Sequence, residues 1–91
     1  MAKNMKWQVF YSGRAHKFIA ENHLESKVNA ALMKFILRYT GETVTIDVKK
    51  LKGKWSGYHR IRIGNLRVIV KVDKERNSMV VDTVDLRDRI Y

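Results

Sequence analysis

The chain has no cysteine, no proline, few carboxylates and no long apolar run. Without cysteine there is no disulfide framework, no thiolate zinc site and no catalytic thiol, a composition that fits a reducing compartment. The N-terminal MAKNMK contains no apolar stretch of signal-peptide length, and nothing approaches the roughly 18 apolar residues that span a bilayer. A cytoplasmic location with no membrane partner is therefore expected. At 91 residues the chain is also short. A domain of this size buries on the order of 60% of its unfolded surface, which supplies one core and excludes a second, enclosed cofactor domain. Glycine occurs only 5 times, at turn-like positions, and forms no Walker loop, GxGxxG or GxSxG. His16, His23 and His59 fall in three different segments without ligand spacing, so neither a metal nor another cofactor is expected.

What the chain does have is positive charge: 19 Lys and Arg against 9 Asp and Glu, a net +10. Hydrophobic content of 45% is that of a globular domain, so the excess charge belongs to a folded surface facing a polyanionic partner. It is concentrated. From Val48 to Val72 there are Lys49, Lys50, Lys52, Lys54, Arg60, Arg62, Arg67 and Lys71 and no carboxylate. Such a field attracts phosphate or nucleic acid, although the lysines alone would equally make a solvated face.

Residues 1–5 read as a tail and 6–91 as a single domain. Lys6 to Ser12 is rich in aromatic and β-favouring types, which predicts a first strand. Ser12 is a candidate N-cap for a short helix from Gly13 to Asn22, with Ala15, Phe18 and Ile19 at helical spacing. Leu24, Val28, Ala31, Leu32, Phe35, Ile36 and Tyr39 then recur at steps of three and four, predicting a second helix that Thr40-Gly41 stops. Its apolar stripe is core, with no functional role. Glu42 to Asp47 reads as connector, and Val48 to Leu51 either extends it or adds a short strand. Tyr58 to Ile63 alternates, placing Arg60 and Arg62 on one face and His59, Ile61 and Ile63 on the other. After the Gly64-Asn65 turn, Leu66 to Asp73 completes a hairpin, and Met79 to Leu86 makes a last strand. The expected fold is α+β, in the order βααβββ: an antiparallel sheet with two helices on one face and the arginines projecting from the other.

Arg60, Arg62, Arg67 and Arg87, with Tyr91, are the candidate site residues. Guanidinium groups bind phosphate through paired donors, and several on one sheet can hold an RNA strand and stabilise charge on a scissile phosphate. The runs Lys50-Leu51-Lys52-Gly53, Tyr58-His59-Arg60-Ile61-Arg62-Ile63-Gly64-Asn65-Leu66-Arg67-Val68-Ile69-Val70 and Val84-Asp85-Leu86-Arg87-Asp88-Arg89-Ile90-Tyr91 resemble the RelE/ParE toxin superfamily. With the element order, the resemblance covers nearly the whole chain, and the RelE-like branch is favoured.

The resemblance implies a toxin of a type II toxin–antitoxin system, neutralised by a cognate antitoxin. RelE-like members are ribosome-dependent mRNA endonucleases, whereas ParE-like members inhibit DNA gyrase on the same fold. Carried across by position, Arg60 and Arg62 are the paired basic residues, Arg67 the phosphate-stabilising arginine, Arg87 the last-strand arginine and Tyr91 the terminal aromatic. Lys49, Lys50, Lys52, Lys54, Lys71 and Arg89 would contact RNA, Lys52 and Lys54 reaching ribosomal RNA. Where some members have a histidine before the last-strand arginine, this chain has Leu86, so acid–base work falls elsewhere. His59 is read as a packing residue. A relative that only binds nucleic acid or antitoxin is the remaining alternative. About five phosphate contacts would give log K falling with log salt at a slope near −3.5 on a single strand.

Overall fold

A computed structural model describes residues 6–87. Strand β1 (Gln8–Tyr11) is followed by α1 (Gly13–Glu21) and α2 (Glu25–Tyr39), then β2 (Asp47–Lys50), β3 (Tyr58–Ile63), β4 (Leu66–Asp73) and β5 (Ser78–Leu86). Short 3-10 turns at Gly53–Trp55 and Lys74–Arg76 join β2 to β3 and β4 to β5.

Ser12 starts α1 as the sequence suggests, its Oγ accepting the Ala15 N–H at 3.1 Å. The helix ends in a left-handed residue, His23 at φ 52, with the Leu24 N–H reaching the Ile19 carbonyl and the His23 N–H that of Ala20. This paired bonding satisfies the last carbonyls of α1 and lets buried Leu24 meet buried Ile19. Gly41, at φ 103, ends α2 by the same device, its neighbour Glu42 donating to Leu37.

The sheet order is β1-β5-β4-β3-β2. Two features differ from the sequence expectation. Asp47–Lys50 is a strand, paired antiparallel to β3, so the segment left as possible connector adds an edge. It holds one half-buried apolar residue, Val48, too little for alternation to show. And β1 pairs parallel to β5, which makes the sheet mixed; only β2 to β5 are antiparallel. Strand β2, which follows the helices, takes the far edge, and the chain returns to β1 only after the antiparallel run through β3 and β4, so that β5 enters beside β1 in the same direction.

Both helices cover one face of the sheet. Val28, Ala31, Leu32 and Phe35 of α2 and Ala15 and Ile19 of α1 join Ile61, Leu66, Val68, Val70, Met79, Val81 and Val84 in one buried cluster. The two buried residues Val81 and Val84 are three apart, because β5 carries a bulge opposite Ile69 and Val70. The extra residue is anchored: the Asp82 carbonyl accepts Ser12 Oγ–H at 2.8 Å, and its carboxylate lies 3.3 Å from Arg14 of α1.

Candidate nucleic-acid interface

Strand alternation places Tyr58, Arg60 and Arg62 of β3 on the face away from the helices, since the intervening Ile61 is fully buried. In β4 the same alternation exposes Arg67, Ile69 and Lys71 between Leu66, Val68, Val70 and Val72. The cross-strand register sets Arg62 beside Arg67, Arg60 beside Ile69 and Tyr58 beside Lys71. Beyond the bulge, β5 turns Asp85 to this face, directly opposite Arg67.

Arg62, Arg67, Asp85, Leu86 and Arg87 line a shallow cleft of about 390 Å³. Arg87 is exposed there, its backbone N–H tied to the Asn65 carbonyl at 2.8 Å, which fixes the end of β5 against the β3–β4 turn. Arg60 stands two positions along β3, outside this cleft but on the same face. Of the candidate lysines, Lys49 is opposite Arg60 on β2 and shares the face, as does Lys71. Lys52 and Lys54 are exposed in the β2–β3 loop.

Lys50 departs from the expectation. It is register-paired with His59, on the side of the helices, and its charge helps keep the imidazole neutral. Successive side chains of a strand point to opposite faces, which separates it from Lys49. Tyr91 and Arg89 lie outside the described residues.

Two carboxylates that the sequence pattern does not reveal face these arginines. Arg67 donates from Nε and a terminal nitrogen to the two oxygens of Asp85, at 3.2 and 2.9 Å. This bidentate pair raises the Arg67 pKa above its ordinary value, through the hydrogen bond first and the Asp85 charge after it. Asp47 lies 3.4 Å from Arg60 and 3.9 Å from Arg62. The buried Nε atoms of both arginines find no partner among the described residues, so Asp47 answers only their outer nitrogens. The carboxylate-free run from Val48 to Val72 is thus partly neutralised by the residue just before it and by a strand beyond it. Asp47 was one position from being counted, whereas Asp85 could be found only by placing the bulge.

His59 is confined to the helix face. Its ring lies 5.4 Å from Phe35 and 6.1 Å from Tyr39, and burial, then Lys50, lowers its pKa from 6.5. It is a packing residue, away from the arginines.

The arrangement is a basic sheet face with Arg62, Arg67 and Arg87 gathered at one cleft. No protein-family model matches the chain, and no curated protein matches it significantly. Solved structures do. A chain of an archaeal RelE–RelB complex from Pyrococcus horikoshii OT3 superposes with a TM-score of 0.64 at 24% identity, covering 93% of this chain and 99% of that one. A chain of the RelB–RelE complex from Methanococcus jannaschii gives 0.63 at 21% identity, covering 90% and 94%. A chain of the YoeB–YefM complex from Staphylococcus aureus gives 0.64 at 23% identity, covering 88% and 95%. The chain has the RelE-like toxin fold, two helices on a mixed five-stranded sheet.

Proposed function

We propose that this protein is the toxin of a type II toxin–antitoxin pair and acts as a ribosome-dependent endonuclease on mRNA. The observation that carries the reading is the cleft joining Arg62, Arg67 and Arg87 on the open sheet face of a RelE-like fold. RNA supplies its own nucleophile: a 2′-hydroxyl attacks the adjacent phosphorus, the bond to the 5′-oxygen breaks, and a 2′,3′-cyclic phosphate and a 5′-hydroxyl result. The protein then needs a base, an anion clamp and a stabiliser for the leaving oxygen.

In this scheme Arg67, aimed by Asp85, clamps the pentacovalent phosphate. Arg87, whose guanidinium does not readily give up a proton, stabilises the leaving oxygen electrostatically, a contribution of about 3 kcal/mol. Arg60 and Arg62 position the strand, and Lys49, Lys52, Lys54 and Lys71 extend the contact to the RNA backbone. Tyr91, which lies outside the described residues, is the proposed base.

The partner in this reading is an antitoxin with an acidic, amphipathic segment that orders on binding. Met33 and Leu37, two of the exposed large apolar side chains, lie one turn apart on α2 beside Lys34 and Arg38, a surface that suits such a segment. A purified protein that bound no acidic product of a neighbouring reading frame would count against the pairing.

Primer extension on a defined mRNA in a cell-free translation system, with and without ribosomes, tests the enzyme reading. Cuts that require ribosomes and disappear in Arg67→Ala and Arg87→Ala are the expected result. Intact mRNA overturns it, and loss of plasmid supercoiling in the same extract would identify gyrase as the target.

A further inference from the structure

Trp55 is 43% exposed in a chain whose other described indole, Trp7, packs on Tyr39. It is not left loose. The β2–β3 loop that carries it is closed by four backbone hydrogen bonds: Leu51 to Tyr58, Trp55 to Lys52, Ser56 to Gly53 and Val72 to Gly57. Gly53 and Gly57, at φ 67 and 93, permit this tight path. The loop seats Trp55 edge-to-face against Tyr58, with ring centroids 5.0 Å apart and planes at 82°. Lys71 Nζ lies 5.6 Å from the centre of the Tyr58 ring. An aromatic pair and a cation therefore sit on the same sheet face as the arginines, held before any ligand arrives.

Tyr58 and Arg62 are four positions apart on one strand. At about 3.3 Å per residue the platform and the cleft are roughly 13 Å apart, with Arg60 between them. That span corresponds to about two nucleotide steps of an extended strand. Alternating aromatic surface and fixed cations is how proteins hold single-stranded nucleic acid, the bases stacking and the backbone following the charge.

We propose that Trp55, supported by Tyr58, is a stacking platform for one nucleobase of single-stranded RNA, about two nucleotides from the phosphate seated among Arg62, Arg67 and Arg87. The inference rests on the RNA reading above for its ligand but not on cleavage. Trp55 touches the substrate in this account and sets where the strand lies in the cleft. Stacking tolerates any base and favours purines, whose larger faces cover more of the indole, so the platform biases the choice of sequence without reading hydrogen-bond edges.

The test uses the purified full-length chain, in a Trp7→Phe background that leaves Trp55 as the only indole, and a fluorescently labelled tetranucleotide whose 2′-hydroxyls are methylated to block cleavage. The expected results are quenching of Trp55 emission on binding, and affinity weakened ~5- to 100-fold by Trp55→Ala, with Trp55→Phe recovering most of it. An abasic residue moved along the tetranucleotide should cost affinity in the parent at one position and cost nothing there in Trp55→Ala. The salt slope should stay the same in all variants, because no phosphate contact is lost. Unchanged affinity in Trp55→Ala, unquenched emission, or equal abasic costs in parent and variant would overturn the platform. Coupling between Trp55 and one base in a protein that leaves translated mRNA intact supports the platform and removes the endonuclease reading. Cleavage without such coupling does the reverse.

Discussion

Arg67 donates two hydrogen bonds to Asp85 on a half-exposed face, so the pair fixes the guanidinium's direction while screening part of its charge. Asp85→Asn should cost only about 0.5–1 kcal/mol of stability, the scale of an exposed ion pair with good geometry. The same variant should bind single-stranded RNA more tightly, with a salt slope steeper by about 0.7, since one more cation is free to displace counterions. Denaturant melts and a salt titration of oligonucleotide binding check the two halves. His59 carries a different dependence. Its pKa is lowered in the fold, so the unfolded chain takes up a proton first as pH falls. The stability due to neutral His59 is complete above about pH 6.5 and is lost as pH drops below that value. Urea midpoints measured from pH 8 to 5 should fall below pH 6.5, and His59→Phe, which keeps a ring against Phe35 and Tyr39, should flatten the fall.

At the scale of elements, the long periodic segments were legible in the sequence and the strand edges were not. Seven apolar residues from Leu24 to Tyr39 repeat at helical spacing, and α2 occupies Glu25–Tyr39. The Tyr58–Ile63 and Leu66–Asp73 alternation is equally plain, and both strands appear with those bounds and with the arginines on one face. Strand β2 escaped because an edge strand with one half-buried residue has almost no pattern to read. The last strand was found, but the directions of its side chains were not. Without a bulge, Val81 pointing inward would send Asp85 inward too; the extra residue at Asp82 reverses that, leaving Val84 in the core and Asp85 beside Arg67. The three-residue spacing of the valines was the available signal. Ser12 ties this bulge to α1 across 70 positions of sequence, capping the helix with one lone pair and donating its proton to the Asp82 carbonyl. Ser12→Ala removes both and should cost about 1–2 kcal/mol, seen as a lower urea midpoint at unchanged m-value. At the other end of α1, His23→Gly relieves a left-handed backbone and should gain about 1 kcal/mol in the same assay.

For the whole molecule, the net charge of +10 overstates what the arginine face of the sheet presents. The arginines at 60, 62, 67 and 87 and the lysines at 49 and 71 share that face with Asp47 and Asp85, leaving about four uncompensated charges. The slope of log K against log salt for a single strand should therefore be near −2.8 and not the −3.5 that five phosphate contacts imply. A fluorescence titration from 50 to 300 mM salt distinguishes the two values.

The strand order has a consequence for when the cleft comes into being. Strand β5, the last described element to leave a ribosome, is also interior to the sheet, lying between the first strand and β4. It supplies Asp85 and Leu86, and Arg87 follows it, so a nascent chain that has emerged only through β4 has Arg62 and Arg67 but no wall opposite them. Parallel pairing of Gln8 with Ser78 likewise waits for nearly the whole chain, a contact of long sequence separation that closes late in folding. At roughly 5–20 residues per second of synthesis, the growing polypeptide spends seconds as an inert precursor beside the very machine its finished form is proposed to disable.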